Sequence, residues 1–385
     1  MLTAVRVLTA VVLALHAPAE APIRERQQWV LDALNVEQAW QVTKGKGVTV
    51  AVIDSPVDKG VKELRGRVTV GPYMRSSAEG EEVAPGRHGT AMAGLIAGSG
   101  ADGGLVGVAP ESRVLSLPLA LDEEPDINVI PPLEDQRSAT QSPLARALRY
   151  AANHGAQVVS MSIGTYGPQR TEREAVSYAL GKGVVLIAAV GNDGQSDYTK
   201  EKGTSYWAFP AGYPGVIGVA AVDERSNVAP YSSDNLSVLV AAPGSGVPVL
   251  KRGGGYEVAD GTSSAAALVA GVAALIKARH PDLRPAQVAQ ALAVGSRGRP
   301  AAGYDDRVGF GVVDAVAAMN AAERLAGEKR SLPVPDEQHF GQGEDSPPPS
   351  APGPDPWRLW LYGGGVLIAL ILFCGAIVML NQRRE

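Results

Sequence analysis

Four residues of this 385-residue chain have the types and settings that acyl-transfer chemistry needs: Asp54, His88, Asn192 and Ser263. Ser263 lies in Gly261-Thr262-Ser263-Ser264-Ala265, directly ahead of the apolar run from Ala266 to Ile276, which reads as the start of a buried helix. The first N–H groups of a helix lack internal acceptors and its dipole favours negative charge, so an oxyanion could be held beside that serine. A serine hydroxyl is a useful nucleophile only when an imidazole takes its proton. The imidazole in turn needs a carboxylate to fix its tautomer and stabilise its cation. Ser and Thr at a helix start also serve as plain N-caps, and this stretch alone leaves both readings open.

The elements that must position these groups are legible around them. Val48-Thr49-Val50-Ala51-Val52-Ile53 is a β-branched run suited to a strand buried on both faces, and Asp54 stands at its end. Open α/β sheets place their sites at the carboxyl ends of such strands. Asp58, nearby, reads as a solvated turn residue. His88 opens the small, apolar segment Arg87 to Ala97, a second buried helix. Of the other histidines, His16 lies in the leader, His339 in the tail, and His154 and His280 at helix ends, where electrostatics explains them. Asn192 follows the strand-like run Val184 to Val190 and offers a side-chain N–H donor for an oxyanion, beside the backbone N–H of Ser263.

Further strands are expected over 113–117, 157–163, 216–222 and 237–242, with helices over 145–154, 171–182, 285–294 and 315–325. Their alternation predicts an α/β fold with a mostly parallel sheet covered on both faces. Trp29, Ala33, Val36 and Trp40 recur at helical spacing between Gln27 and Thr43, in a piece too short to fold alone. Net charge is −5 without a long Lys/Arg cluster, so nucleic-acid binding has no electrostatic support. The single cysteine, Cys374, excludes an internal disulfide. The acidic, proline-bearing stretch from Asp122 to Gln141 lacks metal-loop spacing and reads as a solvated loop; structural calcium there is left open.

The two ends set the compartment. Residues 1–21 have a charged start with Arg6, an apolar core from Val7 to Leu15 and the small-x-small pattern Ala17-Pro18-Ala19, the layout of a signal peptide. Leu359 to Leu380 is 22 residues without a charge, enough at about 1.5 Å per residue to span a bilayer core of roughly 30 Å. Trp357, Trp360 and Tyr362 flank it on one side, and Arg383 and Arg384 on the other, which favours a cytoplasmic C-terminus. The expected organisation is a signal peptide (1–21), an N-terminal extension (22–46), a catalytic domain (47–326), a Pro-rich tether (327–356), a transmembrane helix (357–380) and a cytoplasmic tail (381–385).

Several blocks beyond the four residues carry a resemblance. Val50-Ala51-Val52-Ile53-Asp54-Ser55, His88-Gly89-Thr90, Gly107-Val108-Ala109-Pro110, Ser162-Ile163-Gly164, Ala189-Val190-Gly191-Asn192, Phe209-Pro210-Ala211-Gly212-Tyr213-Pro214, Ala241-Ala242-Pro243-Gly244 and Gly261-Thr262-Ser263 closely resemble the signature blocks of the subtilisin-like serine proteases, over about residues 34–321. That resemblance implies a doubly wound α/β domain and endopeptidase chemistry through an acyl-enzyme on a polypeptide substrate. Asp54 would orient His88, His88 would act as base and then acid, Ser263 would attack, and Asn192 would complete the oxyanion hole. Ser162, Ile163 and Gly164 would bind substrate backbone as an added strand. No metal or cofactor is implied for the chemistry.

Within that family the layout is most similar to the mycosins, membrane-anchored proteases of type VII secretion systems, on Leu34-Asn35-Val36-Glu37-Gln38-Ala39-Trp40 ahead of Gly45-Lys46-Gly47-Val48, the tether and the C-terminal helix. The sequence departs from the pattern in three places. The ectodomain has no cysteine where mycosins usually carry disulfides, Pro56 replaces a glycine, and Ala267 replaces a proline in the serine helix. A second role is implied beside proteolysis: a protease-fold scaffold stabilising a membrane secretion complex.

Overall fold

The computed structural model describes residues 21–75, 83–119, 141–327 and 356–382. The signal peptide, the acidic stretch and the tether fall almost wholly outside them. The chain divides into a unit ending at Glu328 and a second one, from Lys329, whose described part is a single helix.

The first unit is built on a seven-stranded sheet in the order β2-β3-β1-β4-β6-β8-β9. These strands are β1 (Thr49–Asp54), β2 (Val68–Val70), β3 (Arg113–Pro118), β4 (Val158–Met161), β6 (Val185–Ala189), β8 (Ile217–Val222) and β9 (Val238–Pro243). Every pairing in the sheet is parallel. The side-chain period of two explains why the strands read as unbroken apolar runs. Val50 and Val52 face one core with the helix Thr262–Arg279, while Ala51 and Ile53 face the other with the helix Pro143–Asn153. Because β1 lies between β3 and β4, the chain turns opposite ways on its two sides, which leaves a crevice at its carboxyl end.

The helices, in chain order, are α1 (Ile23–Ala33), α2 (Val36–Ala39), α3 (Arg87–Ala97), α4 (Pro143–Asn153), α5 (Arg170–Gly181), α6 (Asp197–Lys202), α7 (Thr262–Arg279), α8 (Pro285–Val294), α9 (Ala315–Gly327) and α10 (Pro356–Gln382). Helix α7 runs through the middle of the unit against β4, β6, β8 and β9. It is buried from Ser264 to Lys277, so its apolar residues show no polar face. Ala267 is fully buried in this unbroken helix.

The expected helix over 27–43 is instead two, broken where Asn35 adopts a left-handed φ of 54°. The break serves packing. The carbonyl of Leu34 accepts the Ala315 N–H at 2.8 Å, Gln27 exchanges hydrogen bonds with the Val106 backbone, and the Trp40 indole donates to the Val108 carbonyl. Residues 22–46 are thereby packed into the same core as the sheet. Two small antiparallel pairs have no counterpart in the sequence reading: β5 (Thr165–Tyr166) with β7 (Ala208–Phe209), and β10 (Val247–Leu250) with β11 (Tyr256–Ala259).

Two described stretches, Thr262–Arg279 and Trp360–Met379, are long and apolar enough to cross a membrane. The first is core. The second, within α10, exposes Trp360, Leu361, Ile368, Leu372 and Phe373, and holds the exposed Cys374.

Candidate active site

Asp54 ends β1 with its side chain almost wholly buried, 3% exposed. Its Oδ1 accepts the backbone N–H of Ser55 at 2.7 Å, which fixes the carboxylate plane. The Nδ1 atom of His88 lies 2.7 Å from Oδ1 and 2.9 Å from Oδ2. A carboxylate only accepts, so this nitrogen carries a proton and the Nε2 atom of the neutral ring carries the lone pair. The ring is 45% exposed and lines the cleft.

His88 reaches Asp54 because α3 starts against the end of β1. The Gly89 N–H donates to Ser55 Oγ at 2.9 Å, and a β-carbon at Gly89 would fall 1.9 Å from the Ser55 carbonyl oxygen. Only glycine permits that approach. Thr90 Oγ1 donates to the Gly86 carbonyl and accepts the Asp58 N–H. Pro56 fits here as well: its carbonyl accepts the Gly86 N–H, joining the turn after β1 to the residue that caps α3. Asp58 does more than face solvent, since its carboxylate accepts N–H groups from Gly60 and from Gly253 in the β10–β11 turn.

Ser263 occupies the first turn of α7, where its N–H has no intrahelical acceptor. The N-cap is Gly261 with no side-chain cap, so neither Thr262 nor Ser263 is spent on capping. Thr262 instead turns to Asn192: its N–H and its hydroxyl both reach the Asn192 Oδ1 at 3.1 Å. A backbone N–H can only donate, so the amide is oriented with its oxygen toward Thr262 and its N–H₂ on the other side, near Gly261. Gly191, at φ 103°, makes the turn that aims Asn192 this way.

Two depressions meet at Ser263. One, of about 470 Å³, is bounded by His88, Met92, Asn192, Val249 and Glu257. The other, of about 400 Å³, lies between Ser162, Ile163 and Gly164 on one side and Asn192, Asp193 and Ala208 on the other. Six of the seven residues singled out from the sequence line these two depressions, and the seventh, Asp54, is buried in contact with His88. Ser162 Oγ donates to the Ser263 carbonyl at 3.4 Å, which ties the segment after β4 to the serine turn.

The sequence reading missed Thr262, which orients Asn192, and the pair Tyr166–Asp193. Tyr166 donates to Asp193 Oδ2 at 2.7 Å in the wall of the second depression. Burial, then that hydrogen bond and the charge of Asp193, push its phenol well above the usual tyrosine range. Thr262 was in view within the Gly-Thr-Ser block, whereas Tyr166 and Asp193 are 27 residues apart with no local signal. His154 and His280 both end helices, as expected, His154 with Nδ1 against the Tyr150 carbonyl and His280 against Glu323. Among the described residues no group of three or more His, Cys, Asp or Glu is placed to hold a metal ion.

An all-parallel α/β sheet with aspartate, histidine and serine gathered at one edge of it is the layout of the subtilisin class of serine proteases. The chain belongs to the subtilase family, whose model matches residues 45–311. It is 32% identical to mycosin-1 of Mycolicibacterium smegmatis over 93% of this chain and 85% of that protein. It is 33% identical to fervidolysin of Fervidobacterium pennivorans over 76% of its own length, but spans only 43% of fervidolysin. Among solved structures it is similar to the serine protease MycP1, described as an essential component of the type VII (ESX-1) secretion system. That likeness has a TM-score of 0.64 at 33% identity and covers 79% of this chain and 90% of that one.

Proposed function

We propose that this protein is a membrane-anchored, extracytoplasmic serine endopeptidase that serves a type VII secretion system. The observation that carries the catalytic reading is the Asp54–His88 contact in the same cleft as a serine at the start of a buried helix. Asp54 holds the tautomer of His88. The Nε2 atom takes the Ser263 proton as Oγ attacks the peptide carbonyl carbon. The tetrahedral oxyanion receives the Ser263 N–H and the Asn192 N–H₂. His88 then protonates the leaving amine, and a water activated by the same imidazole hydrolyses the acyl-enzyme. Ser162, Ile163 and Gly164 pair with the substrate backbone. None of these steps needs a metal or a cofactor.

The anchoring proposal rests on the exposed apolar helix α10; a cytoplasmic C-terminus is supported by Arg383 and Arg384 in the sequence that follows the apolar run. The secretion-system proposal rests on the likeness to mycosin-1 and MycP1. The test is labelling of the full-length chain by a fluorophosphonate probe, compared with Ser263→Ala. Stoichiometric labelling that is lost in the variant is expected. A folded wild type that takes no label removes the catalytic reading. If secretion and substrate processing both survive Ser263→Ala, the protein acts as a scaffold instead. Release of a chain truncated after Gly327 from the membrane fraction checks the anchor.

A further inference from the structure

The amino-terminal edge of the sheet holds a second depression, away from Asp54. Because the strands are parallel, the residues that precede β1, β2 and β3 gather at one edge, opposite to the edge where β1 delivers Asp54. Lys44 precedes β1, Arg67 precedes β2 and Glu111 precedes β3. With Arg24 of α1 and the Trp40 indole they line a groove of about 430 Å³. Three cations against one carboxylate make it locally positive, in a chain whose formal charge is −5.

The groove is held in shape by the fold. The Trp40 Nε1–H donates to the Val108 carbonyl at 2.8 Å, and the Lys44 ammonium stands 6.0 Å from the centre of that indole. Arg67 is anchored through Nη1 on the Pro110 carbonyl, and the Lys44 carbonyl accepts the Glu111 N–H at 2.9 Å. Arg24 is different. Its Nη1 atom is buried and, among the described residues, has no hydrogen-bond acceptor. None of Arg24, Lys44 and Arg67 forms an ion pair among the described residues. Arg24 as a whole is half-buried and lines the groove. An anion bound there would meet a guanidinium that no acceptor among the described residues takes up, and pairing it would offset the cost of its partial burial.

We propose that this groove binds a phosphate monoester, with Arg24, Lys44 and Arg67 around the phosphate and the organic part against Trp40 and Val106. The excess of two positive charges matches a dianion better than a carboxylate, and guanidinium groups favour phosphate oxygens through paired N–H donors. The volume exceeds that of the oxyanion alone, which leaves room for its substituent. The ester comes from a soluble metabolite or from a lipid headgroup; the chemistry of recognition is the same.

The full-length chain in uncharged detergent micelles is titrated with inorganic phosphate and with glycerol 1-phosphate, against acetate and chloride at equal ionic strength. A saturable rise in melting temperature is expected with the two phosphates only. Arg24→Gln and Lys44→Gln, whose parent side chains donate no hydrogen bond among the described residues, each weaken binding about tenfold or more. Fluorophosphonate labelling stays unchanged, because the cleft is at the other edge of the sheet. Phosphatidic acid doped into the micelles competes with glycerol 1-phosphate if the source is lipid and leaves it unaffected if the source is soluble; either result keeps the phosphate site. Equal responses to phosphate and acetate, or a phosphate response undiminished in Arg24→Gln, overturn it.

Discussion

Replacing Asp54 with asparagine removes the charge that faces His88 while keeping the size of the side chain. The Ser55 N–H holds the amide oxygen at the Oδ1 position, 2.7 Å from His88 Nδ1, and the amide N–H₂ falls where Oδ2 now stands, 2.9 Å away. The Nδ1–H keeps one acceptor but gains a donor beside it, so the tautomer that leaves the lone pair on Nε2 for Ser263 is held less firmly. The larger effect is the lost charge. For a unit pair at the observed N–O separations of 2.7 and 2.9 Å, Coulomb's law gives about 6 kcal/mol at an effective dielectric of roughly 20. His88 is 45% exposed, and water screens part of that. With about 1.4 kcal/mol per decade, a fall of about 10³–10⁴ in kcat/KM is expected. The assay is peptide hydrolysis together with the rate of fluorophosphonate labelling, which reports serine activation without substrate binding. Both should fall together, with the melting temperature within a few degrees of wild type. A rate within tenfold of wild type would refute the role assigned to Asp54.

Asn192→Asp keeps an acceptor for Thr262 but removes the donor aimed at the oxyanion, so kcat should drop by at least about 10²–10³ with little change in thermal stability; an unaltered kcat would show that Asn192 does not face the oxyanion. Gly89→Ala brings a β-carbon to within 1.9 Å of the Ser55 carbonyl oxygen and should cost about 1–3 kcal/mol in urea denaturation, with activity lost because His88 is the adjacent residue. Glu172 is buried and accepts hydrogen bonds from Ser142 and Tyr213; burial raises its carboxyl above the ordinary 4.5 despite those bonds. A raised folded-state value favours the native state at low pH, and that contribution disappears as pH rises from the ordinary value through the raised one. The stability of wild type relative to Glu172→Gln should therefore decline over that window, and a pH-independent difference would contradict this.

The catalytic cleft was legible because its parts announce themselves locally. Asp54 ends a β-branched run, and His88 and Ser263 open runs of small apolar residues, so sequence neighbours alone place them at strand ends and helix starts. Parallel strands buried on both faces then have few ways to pack, and their carboxyl ends form the crevice. The β10–β11 hairpin was not legible, since it is held by contacts such as Arg252 with the Pro85 carbonyl, 167 residues away. Nor was the break at Asn35, which packing of Leu34 against the start of α9 imposes on a helical spacing.

The sequence by itself determined the α/β class, the apolar helix near the C-terminus and the identity of the residues able to do acyl transfer. These depend on residue type and on spacing within one element. Only the tertiary structure decided that Asn192 turns its oxygen to Thr262, that Tyr166 meets Asp193, and that Arg24, Lys44 and Arg67 share a groove. Those relations join residues far apart in the chain, and the free energy that fixes them comes from burial and hydrogen bonding after the sheet has closed.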